Sequence, residues 1–328
     1  MSVVNRTVSE DEAGIRLDRY FRRHYPHLTQ GALQKLCRTG QIRVEGKRVE
    51  ASTRLEPGQT VRVPPIPMAA KPARDVPRPL DEKLAREIRK MVVYQDKHVI
   101  VLNKPAGLAV QGGPGITKHV DMMLDGLREE DDPRPRLVHR IDKDTSGLLL
   151  LARTPGVAAK LAASFRGRDV KKIYWAVVVG RPDPLSGEID QPLARLGAGP
   201  GSITVAADRK DADAQSARSV YEVLDSAARK FSWLELSPLT GRTHQLRVHC
   251  ESLGTPILGD PKYGGAAAHP SGFTDRLHLH ARMLDMPHPA GGRLTVSAEL
   301  PPHMRETFRT LGFVPGTTPP PSRRGGQG

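Results

Sequence analysis

Residues 137–154 read LVHRIDKDTSGLLLLART. Four consecutive leucines from Leu148 to Leu151 mark a core strand. Immediately ahead of them stand His139, Arg140, Asp142, Lys143, Asp144, Thr145 and Ser146, closed by Gly147. An unpaired charge pulled into a core costs roughly several kcal/mol. A chain that sets so many ionisable groups against a core strand must therefore turn there and hold them around something. Gly147 is the residue type that permits the turn. This segment places the edge of a core and a candidate site within one short run.

At 328 residues and 38% hydrophobic content the chain is long enough for one large core plus a small appended domain. No run of about 18 apolar residues occurs, so no membrane span is expected. The opening MSVVNRTVSEDEAGIRLD has no apolar centre of the signal-peptide kind, and a cytoplasmic protein is expected. Cys37 and Cys250, the two cysteines, are too few for a disulfide framework or a zinc site and are expected as small buried hydrophobes. Basic residues number 50 against 36 acidic, a formal charge of +14. Such an excess gathers polyanions and favours phosphate contacts, which points to nucleic acid.

Residues 1–63 read as one small unit. Leu17, Tyr20 and Phe21 fall at i, i+3 and i+4 of an amphipathic helix, with Arg19, Arg22 and Arg23 around it. Thr29 is placed to cap a second helix carrying Leu33, Leu36 and Cys37, which Gly40 stops. QIRVEGKRVEAS then alternates Ile42, Val44 and Val49 about the turn Glu45-Gly46, a hairpin pattern. The order helix, helix, basic hairpin, strand resembles the S4 RNA-binding domain. That resemblance implies an RNA-facing surface with Lys35, Arg38, Arg43, Lys47 and Arg48. Each of these alone would also fit a solvated charged face.

Residues 64–90 begin with prolines at 64, 65, 67, 72, 77 and 79, a stiff tether, and end as a short charged helix. Residues 314–328, VPGTTPPPSRRGGQG, are low in complexity and expected to be disordered. Between them, residues 91–313 are strand-rich. MVVYQDKHVIVLNKP gives two strands, and KIYWAVVVG, ARSVYEVLDS, FSWLELSPLT and RLHLHARMLDM read as others. VAAKLAASFRGRDV is a helix, with Val157, Leu161 and Phe165 at i, i+4 and i+8. Helices are too few for a regular alternating array. The fold class expected is α+β: a small helix-helix-hairpin domain, then an antiparallel-rich mixed sheet. In TGRTHQLRVH the alternation of Leu246 and Val248 reads as a strand with Arg242, His244 and Arg247 at its start.

Several chemistries fail on spacing. The kinase catalytic loop has His-Arg-Asp contiguous, whereas Ile141 intervenes here and no Gly-rich nucleotide loop precedes it. Asp142 and Asp144 are two apart and diverge if the chain turns, which argues against a glycosidase pair. GGPGIT at 112–117 lacks the Lys-Ser/Thr of a phosphate loop and reads instead as a substrate-contacting loop. His244 and His249, and likewise His278 and His280, lack nearby ligands that complete a metal spacing, so metal is not expected.

Taken together, LNKPAGLAVQGG (102–113), LVHRIDKDTSGLLLLART, KKIYWAVVVG, TGRTHQLRVH, GDPKYGG and LHLHARMLDMPHP resemble, in order, the RluA-type family of RNA pseudouridine synthases, nearest its RluC branch. The departure is Ile141 where the family signature has leucine. The resemblance implies cofactor-independent isomerisation of uridine to pseudouridine in RNA, with 23S ribosomal RNA, free or in an assembling large subunit, as partner of a monomer. It implies Asp142 as the carboxylate at the ribose, Tyr174 stacked on the flipped uracil and moving the C5 proton, and Arg242 paired with Asp142. Arg140 would fill the space left in the RNA stack, and Leu246 would wall the base. His139, Lys172 and His244 would surround the site. Transfer RNA as substrate and a noncatalytic S4-type assembly factor are the alternatives, the latter disfavoured because binding alone does not require Asp142, Tyr174 and Arg242 together.

Overall fold

The computed structural model describes residues 3–25, 28–66, 81–129, 132–167, 169–197 and 202–315. The chain divides into two compact units, Met1–Val76 and Pro77–Gly328. Most of the Pro-rich stretch and nearly all of the low-complexity tail fall outside the described residues. No described helix is long and apolar enough to cross a membrane.

In the first unit β1 (Val4–Thr7) is followed by α1 (Leu17–His24), α2 (Gln30–Arg38), β2 (Arg43–Val44), β3 (Lys47–Arg48) and β4 (Thr60–Val63), with sheet order β1-β4-β2-β3. The local chemistry is the one the residues dictate. The Thr29 hydroxyl accepts the Ala32 amide at the start of α2, a cap worth about 1 kcal/mol. Glu45 and Gly46 both take positive φ, 49° and 73°, as a tight hairpin turn with the twist of its strands requires. Leu17, Tyr20 and Phe21 turn inward onto Leu33, Cys37 and Ile42. Each such side chain contributes about 1.5–3 kcal/mol over its exposed state.

The second unit opens with α3 (Glu82–Arg89), β5 (Val92–Gln95) and β6 (Val99–Lys104). Ile88 of α3 is buried against Met91, Ile100 and Leu102, so this charged helix is part of the second core. The short α4 (Val120–Met123), β7 (Arg136–Leu137), β8 (Ser146–Ala152), α5 (Pro155–Arg166) and β9 (Lys171–Val179) follow. Next come β10 (Ser186–Asp190), β11 (Leu193–Leu196), β12 (Ile203–Ala206), β13 (Arg218–Ala227) and β14 (Phe231–Pro238). The chain continues through α6 (Gln245–Ser252), β15 (Leu279–Pro287), β16 (Arg293–Ser297) and α7 (Pro302–Leu311). The large sheet has the order β10-β13-β14-β9-β15-β8-β6-β5, with β16 on β15 and β7 on β8. Its pairings are antiparallel except where β15 runs parallel to β8. This is the antiparallel-rich mixed sheet that the strand pattern predicts.

The leucine run acquires a simple reason. β8 lies in the middle of the sheet, and all seven of its residues are buried. Strand alternation sends Leu149 and Leu151 to a core with α3 and α4, and Leu148 and Leu150 to a core with Leu161 of α5 and Met286. Both faces are covered, so the run carries no polar alternation.

One expected element is wrong. Residues 245–249 form the start of helix α6, not a strand. All six residues from Gln245 to Cys250 are buried, so the helix shows no polar face and its period is hidden. With Leu246 and Val248 two apart, the sequence pattern mimics a strand.

Gly147 has φ 108°, and a Cβ on it would lie 2.6 Å from the Ala281 amide nitrogen and against the Ala281 carbonyl oxygen. No side chain relieves this clash, because both obstructing groups are backbone. Gly147→Ala is therefore expected to destabilise the protein by about 3 kcal/mol or more. Denaturant unfolding checks this, and a midpoint equal to wild type would show that β8 and β15 are not held so closely.

Candidate active site

The segment from His139 to Ser146 is fastened at every second residue or nearly so. His139 accepts the Leu150 amide on Nε2 at 3.0 Å and stacks on Phe165 with centroids 4.7 Å apart. Burial pulls its pKa down to about 4, so the ring is a neutral structural group. Ile141 is 8% exposed and sits in the core beside Leu149, where a β-branched residue fills the place of leucine. The Lys143 carbonyl accepts both Lys104 Nζ and the Gly107 amide, each at 2.9 Å. The Ser146 hydroxyl donates to His280 Nδ1 at 2.9 Å, with His280 Nε2 turned to the Ala298 carbonyl. With 139, 141, 143 and 146 held, Arg140 and Asp142 are left to face a cleft.

That cleft has a volume of about 1370 Å³. Asp142, Tyr174, Arg242, Arg140 and Leu246 all line it, so the residues singled out in the catalytic region converge. Residues 109–112 and Ile116 of the glycine-rich segment form one wall. Asp142 is the one carboxylate among the lining residues, against Arg140, Arg166, Arg218, Arg242, Arg247, Lys143 and Lys172. Asp144 is not among them, and no paired-carboxylate arrangement is assembled there from the described residues. Asp142 makes no side-chain hydrogen bond or ion pair with any described residue. Burial, with the charge of Asp142 acting in the same direction, pushes the Tyr174 phenol well above its ordinary value. It therefore stays protonated.

Arg242 and Asp142 do not pair. Arg242 is exposed at the rim, and its Nε donates to the Ser216 carbonyl at 3.1 Å. The arginine whose charge bears on Asp142 from the interior is Arg247, 1% exposed. Its Nε and one terminal nitrogen bind Asp260 at 2.8 and 2.5 Å, and its guanidinium lies over the Tyr263 ring at 4.9 Å. Burial alone would lower the Arg247 pKa, but Asp260, and beyond it the charge of Asp142, raise it overall. Lys104, fully buried, donates to the carbonyls of Pro105, Leu108 and Lys143. Burial pulls its pKa to about 7 against the opposing charges of Asp144 and Asp142.

The sequence reading did not assign roles to Lys104, Arg247 or Asp260. Two signals were present: a lysine ending a buried strand, and an arginine and an aspartate thirteen residues apart in neighbouring blocks. Reading α6 as a strand concealed the second. The buried histidines are hydrogen-bonded core groups, as with His249 on Ser219 and Gln191 and His278 on Thr307. No group of three or more His, Cys, Asp or Glu among the described residues is disposed to hold a metal ion.

In the first unit Lys35, Arg38, Lys47 and Arg48 are exposed. Arg43 is half-buried and donates to the carbonyls of Gly40 and Gly46, so its first task is to brace the hairpin turn. Cys37 and Cys250 are buried free thiols, each in its own unit.

Comparison with known proteins covers the same part of the chain. The RNA pseudouridylate synthase family profile matches residues 98–252, which include His139 to Gly147, Tyr174 and Arg247. The chain is 36% identical over 313 residues to ribosomal large subunit pseudouridine synthase C of Vibrio cholerae, covering 93% of this chain and 95% of that one. It is 38% identical over 291 residues to the protein of the same name from Rickettsia bellii, covering 87% and 94%. The solved structure of human RNA pseudouridylate synthase domain containing 4 aligns with a TM-score of 0.58 and 32% identity, over 70% of this chain and 96% of that one. The match of sequence along nearly the whole length, together with the shared fold, makes the chain a member of the RluA-type family of RNA pseudouridine synthases.

Proposed function

We propose that this protein converts specific uridines of 23S ribosomal RNA to pseudouridine, with Asp142 as the reacting carboxylate. The observation that carries the reading is the isolation of Asp142, a lone, unpaired carboxylate in a cleft lined by five arginines and two lysines. A polyanion enters such a cleft readily, and there the carboxylate meets the sugar. The relatives named for the ribosomal large subunit support that RNA as the substrate.

The reaction exchanges the C1′–N1 bond for a C1′–C5 bond and moves the C5 proton to N1. It is redox-neutral, and side chains suffice for it. Asp142 serves either by adding to C1′ or by taking the C2′ proton, and both routes need it ionised. Arg247 supplies positive charge from behind, while Asp260 keeps the guanidinium from swinging onto Asp142 and closing it. Tyr174 stacks on the extruded uracil, and its protonated hydroxyl exchanges protons with C5 only if it passes its own onward. Arg140, exposed beside Asp142, fills the gap left by the flipped nucleotide, and Leu246 walls the base. Arg242, at the rim, holds a backbone phosphate rather than the carboxylate.

The first unit serves as an S4-type RNA clamp. The exposed set Lys35, Arg38, Lys47 and Arg48 supports it, since cations without partners among the described residues are free to displace counterions from RNA.

Mapping pseudouridines in ribosomal RNA from cells with and without this gene tests the function. Specific sites in 23S RNA are expected to revert to uridine when the gene is absent. Loss confined to transfer RNA, or no loss anywhere, would contradict the reading. For the clamp, replacing Lys35, Arg38, Lys47 and Arg48 together by alanine should weaken RNA binding and reduce the salt slope by about one for each phosphate no longer neutralised. An unchanged slope would remove this face from the interface.

A further inference from the structure

His244 begins α6 in the left-handed region, φ 54° and ψ 17°, a conformation that costs an ordinary side chain about 1–2 kcal/mol. Its ring stands edge-on to Tyr263 with centroids 5.6 Å apart, and Nδ1 is 2.8 Å from the Tyr263 hydroxyl. That hydroxyl oxygen already accepts the Thr204 amide at 3.3 Å. Nδ1 is the one acceptor within reach of the tyrosine proton among the described residues, so we assign the hydroxyl as donor to Nδ1 and the imidazole proton to Nε2. Nε2 has no partner among the described residues, and His244 lines the cleft shared by Asp142, Tyr174 and Leu246. Burial lowers the His244 pKa, with Asp142 and Arg247 acting in opposite directions, so the ring is neutral. A strained backbone and the Tyr263 contact thus fix the ring at the cleft wall, with Nε2 as the ring nitrogen that has no partner among the described residues.

Resting on the reading of this cleft as a uridine isomerase site, we propose that His244 is a further catalytic residue, donating a hydrogen bond from Nε2 to a uracil carbonyl oxygen as the C1′–N1 bond breaks. When that bond breaks, its electron pair stays with the base and spreads over N1 and the two carbonyl oxygens. A preorganised donor is worth most where such charge develops. A neutral imidazole suits the task because it stabilises the anion without surrendering its proton. The base must remain an anion to bond to C1′ through C5, so a stronger acid that protonated it would divert the reaction.

The test compares His244→Asn, His244→Gln and Tyr263→Phe in the full-length protein, under single turnover on the ribosomal RNA fragment it modifies. Asparagine tolerates the left-handed backbone well but falls short of Nε2, whereas glutamine reaches Nε2 with an N–H and tolerates the backbone less well. If the donor matters, His244→Asn slows the uridine reaction on the order of 10²-fold with RNA affinity kept, and His244→Gln recovers much of the rate. The same variants are then given RNA with 5-fluorouridine at the target position, whose ring bears negative charge more easily. Glycosidic cleavage in His244→Asn should lag wild type by less there than on uridine. A milder effect of asparagine than of glutamine, or an equal lag on both RNAs, would overturn the proposal and leave a backbone role. Tyr263→Phe keeps the ring beneath Arg247 and releases the proton preference, so an intermediate rate supports the proposal and a full rate overturns it. A wild-type enzyme that made no pseudouridine would condemn the function reading itself.

Discussion

The Lys104 ammonium has three hydrogens and donates all three to backbone carbonyls, one of them that of Lys143. Together with His139 under the Leu150 amide and Ser146 against His280, it takes the slack out of the segment that carries Asp142. The bare backbone of Gly147 lets the following strand press against β15, which fixes where the segment ends. A reacting carboxylate must be held within about half an ångström of its target, and anchors at alternating positions do this without touching it. The polar groups ahead of the leucine run are therefore of two kinds, fasteners and free ends.

The electrostatics follow the same division. A carboxylate clamped by an arginine is ionised but poorly placed to react. Here Asp260 and two backbone amides satisfy much of the Arg247–Asp260 pair, so Arg247 lends Asp142 its field and leaves it without a direct bond. Breaking a buried pair of this kind strands a charge, which makes the pair itself hard to alter. Around it the exposed arginines of the rim face solvent, ready for phosphate.

Much of this was legible beforehand because local chemistry and fold agree. Thr29, Glu45-Gly46, the helix around Leu161 and the four leucines all do in three dimensions what their spacing implies. Asp142, Tyr174 and Arg140 were found because six sequence blocks resemble one family in order. The failures share a cause. A helix buried all round loses its amphipathic stripe, so α6 read as a strand, and its side-chain directions were lost with it. The expected pairing of Arg242 with Asp142 rests on the family resemblance, whereas in the structure the helix turns Arg247 inward to Asp260 and Arg242 stays at the rim on the Ser216 carbonyl. Nor can spacing reveal a backbone in the left-handed region at His244, since histidine gives no such signal.

The central claim is that a single carboxylate, Asp142, reacts at the sugar, while the other cleft residues act on the base or hold the RNA. Single-turnover pseudouridine formation by Asp142→Asn, with RNA affinity measured on the same preparation, tests it most directly. The account predicts a rate lowered by at least about 10³-fold at nearly unchanged affinity. Pseudouridine formed at the wild-type rate would contradict it, because no other carboxylate among the described residues lines the cleft to take over.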